Sequence, residues 1–283
     1  MTDRAHRLTD EKLEQMGKRL SAIYSDKKKE LNKATEKFYK SIEEESKELL
    51  EVYNNAESRE EKQKARKAYV RFYKNDVTKR KEYDLMVAAL LALLFEANEK
   101  SAQTINKQMD EIYTLNYNGI NQSLAKDFEG FEYREEETIK SGVKERHISK
   151  PKDASWNAKN IRNAVVLGAF LMLKPKKVFQ RTINIVVKRN LDVTENGAVT
   201  MYTRAENKGR NDAIIQAQEA GYNIKKKWNA VMDNVTRQSH VLLNGVKIRV
   251  RGDFLPNLAY PGDPRAPLDE VMNCRCWLTY ERI

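Results

Sequence analysis

The chain has 283 residues, 33 % of them charged and 40 % apolar, so it can bury a real core in one or two domains and suits a soluble, helix-rich protein. The opening MTDRAHRLTDEK lacks the apolar centre of a signal peptide, and two cysteines in all argue against a disulfide framework, so synthesis in a reducing cytoplasm is expected. The net charge of +11 is lopsided: residues 141–283 hold 25 Lys and Arg against 13 Asp and Glu, and the residues before them 27 against 28. A basic second half points to an acidic partner such as nucleic acid, or to a surface kept basic for solubility.

The first half reads as long helices. Leu13, Met16, Leu20, Ile23, Leu31, Ala34, Phe38, Ile42, Leu49, Val52 and Ala56 recur at gaps of three, four or their sums, the period of an amphipathic helix with a coiled-coil-like stripe. No proline precedes Pro151. The segment 54–61 reads as a turn, with Ser58 and Glu61 spaced as a capping box. A second helix is predicted from there to about Lys100, and a third from Ala102 to Leu115, continuing towards Asp127. These would pack as an antiparallel bundle or long hairpin. The apolar run Leu85–Phe95 is about half what a bilayer-spanning helix needs, so it reads as a buried helix; a membrane-active role is the lesser alternative.

From Phe128 glycines and Pro151 enter, and residues 128–200 read as a linker and helical connector. Ile161–Leu173 is apolar and is expected to end at Pro175, with helix or strand potential beyond. Met201–Asn223 reads as one amphipathic helix stopping at Gly221, followed by a buried strand or helix end around Trp228. The last fifty residues are rich in turns, which predicts a small compact α+β domain. The expected fold class is therefore a mainly α N-terminal half followed by a small α+β C-terminal domain. The expected division is 1–127, 128–200 and 201–283. Nucleotide-binding, zincin and serine-hydrolase motifs are absent from the sequence.

The informative residues of the second half form an ordered series. Arg204, Glu206 and Asn211 lie on the predicted helix. Trp228, Asp233 and the segment TRQSH with Thr236, Arg237 and His240 follow, then Asn244-Gly245, the loop FLPNLAYPGDPRAP, and Asn273-Cys274-Arg275-Cys276. Over about residues 201–280 this order resembles the phage Mu F-like minor head proteins, also called minor capsid or head morphogenesis proteins. The resemblance implies a structural, portal-associated protein of the virion, made in the host bacterial cytoplasm and carried in the capsid interior near the portal. It also implies a part in head morphogenesis, DNA packaging or ejection, with the portal protein, other head proteins and packaged double-stranded DNA as partners. Related domains are sometimes fused to toxin or transferase domains; this chain is expected not to be an enzyme.

The residues themselves allow more than one chemistry. Two thiolates from Cys274 and Cys276, with His240 and Asp233, would make a tetrahedral site of the kind zinc accepts. The alternative is that both cysteines are small buried packing residues and His240 is an ordinary hydrogen-bonded core histidine. A nuclease-like cluster of Asp233, Arg237, His240 and Cys276 is the enzymatic alternative. Arg275 would clamp the C-terminus through Asp233 or Asp269, or contact phosphate. Trp228 reads as a core anchor, with a stacking platform as the lesser alternative. Lys174, Lys176, Lys177, Lys225, Lys226, Lys227, Arg249 and Arg251 are candidates for a DNA-facing surface that grips phosphate without reading sequence. A host DNA-binding protein with a helical arm would explain this charge but not NCRC or TRQSH.

Overall fold

A computed structural model describes residues 4–143 and 151–283; the part of the expected linker at 144–150 lies outside the described residues. Seven longer helices come first: α1 (Arg4–Ser41), α2 (Glu43–Asn55), α3 (Arg59–Arg71), α4 (Lys81–Asn106), α5 (Met109–Asp127), α6 (Pro151–Phe170) and α7 (Pro175–Glu219). The remainder is β1 (Ile224–Asn229), α8 (Gln238–Leu243), β2 (Lys247–Arg249), α9 (Leu268–Val271) and β3 (Trp277–Arg282). The expected fold class is observed: long helices, then a small region with a three-stranded antiparallel sheet and short helices.

Local sequence explains the boundaries. Ser58 accepts the Glu61 N–H at 3.1 Å while the Glu61 carboxylate accepts the Ser58 N–H at 3.0 Å, the reciprocal capping box that starts α3. The predicted continuous helix to Lys100 is interrupted by a π-turn at Phe72–Asp76 and a tight turn at Val77–Lys79, with Arg80 extended. Pro175 starts a helix rather than only ending one, because proline's missing N–H costs nothing in the first turn. From there α7 runs unbroken to Glu219 because buried Val186, Asn190, Thr194, Ala198, Met201 and Ala205 recur once per turn through Gly197. Gly221, at φ +93°, ends it.

The chain packs as two compact units. One comprises Met1–Arg19, Ala102–Arg146 and Thr194–Ile283; the other comprises Leu20–Ser101 and His147–Val193. Three of the boundaries fall inside α1, α4 and α7, so the units do not follow the sequential division 1–127, 128–200 and 201–283. The all-helical unit is built on one core from Tyr24, Leu31 and Phe38 of α1 and Ile42 at the start of α2 with Tyr69, Leu90, Leu94, Val165, Phe179 and Ile183. The Leu85–Phe95 run lies in α4, with Met86, Leu90 and Leu94 buried and Leu85 and Phe95 exposed. Among the described residues no helix is long and apolar enough to cross a membrane. Lys174, Lys176 and Lys177 belong to this unit, and Lys176 and Lys177 are candidates for its surface rather than for the sheet's.

The mixed unit carries the sheet, in order β2-β1-β3. Along β1, Ile224, Lys226 and Trp228 are buried and alternate with more accessible Lys225, Lys227 and Asn229, the period of a strand with one covered face. Trp228 is fully buried with Leu243, Leu258, Val271, Cys274, Cys276 and Leu278, which makes it the core anchor expected of it. A second cluster joins Ile120 and Leu124 of α5 to Ala213, Ile214 and Ala217 of α7 and to Ile224.

Candidate metal centre

β3 is an edge strand, and its outer edge is paired by side chains of α7 rather than by another strand. Asn207 donates to the Cys276 carbonyl at 3.0 Å and accepts the Leu278 N–H at 2.8 Å. Arg210 donates to the Leu278 carbonyl at 2.9 Å, and the Thr203 hydroxyl donates to the Cys274 carbonyl. Thr203, Asn207 and Arg210 stand at i, i+4 and i+7 on one helix face, so a straight helix meets successive groups of an extended chain. A buried polar edge without such partners would cost about 1–3 kcal/mol per group. Asn273 adopts φ 55°, a left-handed turn that asparagine tolerates well, and its N–H donates to the Thr200 hydroxyl at 3.0 Å. That turn aims the following cysteines inward. The proline-rich loop lies against the same helix: Gly262, at φ +80°, comes so close that a Cβ there would meet the Arg204 backbone at 3.1 Å, and Arg204 donates to its carbonyl at 3.0 Å.

Within this frame three groups converge. His240 Nδ1 lies 3.5 Å from Cys274 Sγ and 3.5 Å from Cys276 Sγ, and all three residues are buried. Their ligand atoms lie within 4.8 Å of one another. The other ring nitrogen of His240, Nε2, faces Glu270 Oε2 at 3.0 Å, close enough for an ion pair although the approach is off the line a hydrogen bond needs. Glu270 is itself held by the Ser239 hydroxyl at 3.0 Å. Trp228 closes one side, its ring edge-on to His240 with centroids 5.1 Å apart. The two thiols act on each other in opposite directions: the hydrogen bond from Cys274 lowers Cys276, against burial and with His240 adding to the effect, while Cys274 is raised, first by its hydrogen bond to Cys276 and then by burial. Two sulfurs and an imidazole nitrogen therefore face one another in a buried pocket, and the cluster could hold a metal ion.

The remaining predicted residues are placed as follows. Asp233 is exposed and is not among the converging groups; it pairs with Arg275, which with the Thr236 hydroxyl holds its carboxyl below the usual carboxylate range. Thus Asp233 does not complete the metal set, and the Arg275 clamp to Asp233 is the one that forms. Arg237 donates to the Met272 carbonyl, tying the start of α8 to the chain just before Asn273. This disperses the expected Asp233, Arg237, His240 and Cys276 catalytic group: two of the four are engaged elsewhere. Lys226 is buried and its Nζ sits 3.5 Å from Asn211 Oδ1, so it leaves the expected basic surface; burial pulls it down to about 8. Lys225 and Lys227 stand directly across from Arg249 and Lys247 on the more accessible face of β1 and β2, and Arg251 pairs with Glu219.

Sequence reasoning passed over Glu270, Thr203, Asn207 and Arg210, although the spacing of the last three was readable. It also passed over His6, which is buried, stacks on Trp277 at 4.3 Å and bonds Glu206 Oε1 at 2.7 Å.

No family model matches the chain, and no solved structure matches it. Over 121 residues, 42 % of the chain, it is 31 % identical to a protein of Enterococcus faecalis (strain ATCC 700802 / V583) named NAD(+)–arginine ADP-ribosyltransferase EFV. The match covers 25 % of that protein, so the chain spans about a quarter of the length of the curated relative it matches. The expectation that the chain is not an enzyme is corrected by this finding, since a relative named as a transferase opens enzymatic activity.

Proposed function

We propose that this chain is a minor head protein of a tailed double-stranded DNA phage or prophage, acting near the portal in head assembly, with a metal-fastened C-terminal region whose basic sheet face meets packaged DNA. The observation that carries the reading is the joint placement of Trp228, His240, Leu258 and Ala266 of the proline-rich loop, Cys274 and Cys276 in one small core, with Arg237, Asn244 and Asn273 hydrogen-bonded at its margin. Together with Asp233 and the Thr236 and Arg275 that bond it, those are the residues on which the resemblance to Mu F-like proteins rests. The partial match to a transferase suits a family whose domains are sometimes fused to transferase domains.

The metal is zinc in this reading. With Zn–S near 2.3 Å and Zn–N near 2.0–2.1 Å, a tetrahedral site separates sulfur from nitrogen by about 3.6 Å, and both Nδ1–Sγ distances are 3.5 Å. Two thiolates and an imidazole are the donors zinc favours, and Glu270 at the far ring nitrogen is the carboxylate that commonly orients a ligating histidine. When bound, zinc would cross-link α8 to the segment that leads into β3. On the sheet, Lys225, Lys227, Lys247 and Arg249 set like charges directly opposite each other, which costs stability unless an anion lies over them; Glu281 offsets part of it through Lys247. Mass spectrometry of purified heads from an induced lysogen tests the assignment. The chain should be found in DNA-filled heads and should co-purify with the portal protein; its absence from both overturns the reading.

A second reading is carried by the relative's name: transfer of ADP-ribose from NAD+ to arginine. Incubation with labelled NAD+ and an arginine-rich acceptor tests it separately, because label transfer by the purified chain would establish that chemistry whether or not the chain enters heads.

A further inference from the structure

Away from the metal centre, the mixed unit contains a cleft with the features of a small-molecule site. The segment 130–136, which has no regular secondary structure, is held at both ends. The Tyr222 hydroxyl donates to the Gly130 carbonyl at 3.2 Å, and the Asn118 amide both donates to the Glu136 carbonyl at 2.8 Å and accepts the Glu136 N–H at 3.2 Å. Between this segment and the helices α5 and α7 lies a cleft of about 430 Å³, within the size range of small-ligand sites.

Asn121 lines the cleft from α5, one turn beyond Tyr117. It is 4 % exposed, and among the described residues its amide has no hydrogen-bond partner. Its amide is not among the fully enclosed groups left without a partner, so its oxygen and nitrogen open onto the cleft, where a ligand can offer them both a donor and an acceptor. Aromatic walls flank it. Tyr222 is braced edge-on by Phe128 at 5.1 Å and Phe131 at 5.0 Å, whereas half-buried Tyr133 has neither a ring partner nor a hydrogen bond among the described residues. A planar heterocycle stacks well on such a ring.

We propose that this cleft binds an adenine nucleoside, with the Asn121 amide bonding the adenine N6 amino group and N7 and Tyr133 stacking on the base. That edge of adenine presents one donor and one acceptor to a bidentate amide, whereas guanine presents two acceptors there. Charge narrows the source. Glu132, Glu135, Glu136 and Glu137 crowd the segment against the one cation Arg134, so a nucleic-acid strand or a polyphosphate is repelled. A nucleoside, or a monophosphate facing Arg134, is tolerated.

Isothermal titration of the full chain with adenosine, adenosine monophosphate, guanosine and a single-stranded oligo(dA) tests the proposal. Adenosine should bind saturably, about tenfold or more tightly than guanosine, and more tightly than oligo(dA) per site. Asn121→Leu should abolish the preference for adenosine over guanosine. Tyr133→Ala, on the loop and outside any core, should weaken adenosine by about five- to a hundredfold, and it serves as the readout if Asn121→Leu does not fold. No saturable adenosine binding at millimolar concentration, equal binding of guanosine, or tighter binding of oligo(dA) would each overturn the proposal.

Discussion

Replacing Asn207 by leucine, nearly the same in size, asks how β3 is held. Asn207 is fully buried, and its side chain supplies two of the bonds on the outer edge of the strand, to the Cys276 carbonyl and the Leu278 N–H. Leucine fills the space but leaves both backbone groups in the interior without a partner. At about 1–3 kcal/mol for each orphaned group, the loss should be about 2–6 kcal/mol. For a chain of 283 residues that lowers the melting temperature by roughly 3–10 °C. Urea unfolding followed by tryptophan fluorescence suits the purpose, because Trp277 begins this strand and Trp228 lies on the neighbouring β1, both in the mixed unit. The thiols, buried in the native chain, should become reactive to an aromatic disulfide reagent at lower urea in the variant. A destabilisation below about 0.5 kcal/mol, with thiol protection unchanged, would refute the idea that α7 side chains act as the missing neighbour strand.

Purified chain should contain zinc at one per molecule; Cys274→Ser, Cys276→Ser and His240→Ala should each lose it, and elemental analysis finding none in the native chain would dispose of the site. Glu270→Gln should keep the three ligands yet weaken zinc binding by about 10–100-fold in a chelator competition, since it removes only the carboxylate behind His240. His6 should make stability depend on pH. Burial lowers its pKa, but the Glu206 hydrogen bond and the charges of Glu206 and Asp10 outweigh this and leave it raised. Its contribution is therefore complete below the unfolded value of about 6.5 and disappears as pH rises through the folded value; thermal melts across that range should flatten in His6→Phe, and an unchanged profile would show that His6 is not the group responsible. Lys225→Glu with Lys227→Glu should weaken DNA binding alike for all sequences and reduce the slope of affinity against salt by about one for each phosphate no longer neutralised, read by fluorescence anisotropy; an unaltered slope would place DNA elsewhere.

Much of the helical architecture was legible in the residues. The stripe of Met16, Leu20, Leu31, Phe38 and Ile42 is buried as its period requires, and the Ser58–Glu61 spacing forms the capping box it advertises. Gly221 ends α7, and Cys274, Cys276 and His240 converge although 34 and 36 residues separate the cysteines from the histidine. Local pattern suffices for the helices and their ends, because helix period, caps and turn chemistry act within a few residues.

Tertiary structure alone decided the rest. Asp233 and Glu270 are both acidic residues on the chain around His240, and no local rule selects between them; packing turned Asp233 outward to Arg275 and set Glu270 against the imidazole. Lys226 reads as one member of a basic triplet, yet the strand's alternation sends it to the covered face while its neighbours remain accessible. The long helices α1, α4 and α7 each supply residues to both compact units, so a division into consecutive segments could not describe the packing. Side-chain periodicity tells which face of an element is buried, but not what it is buried against. That second choice depends on pairings between residues far apart in the chain, among them the α7 side chains that hold the edge of β3.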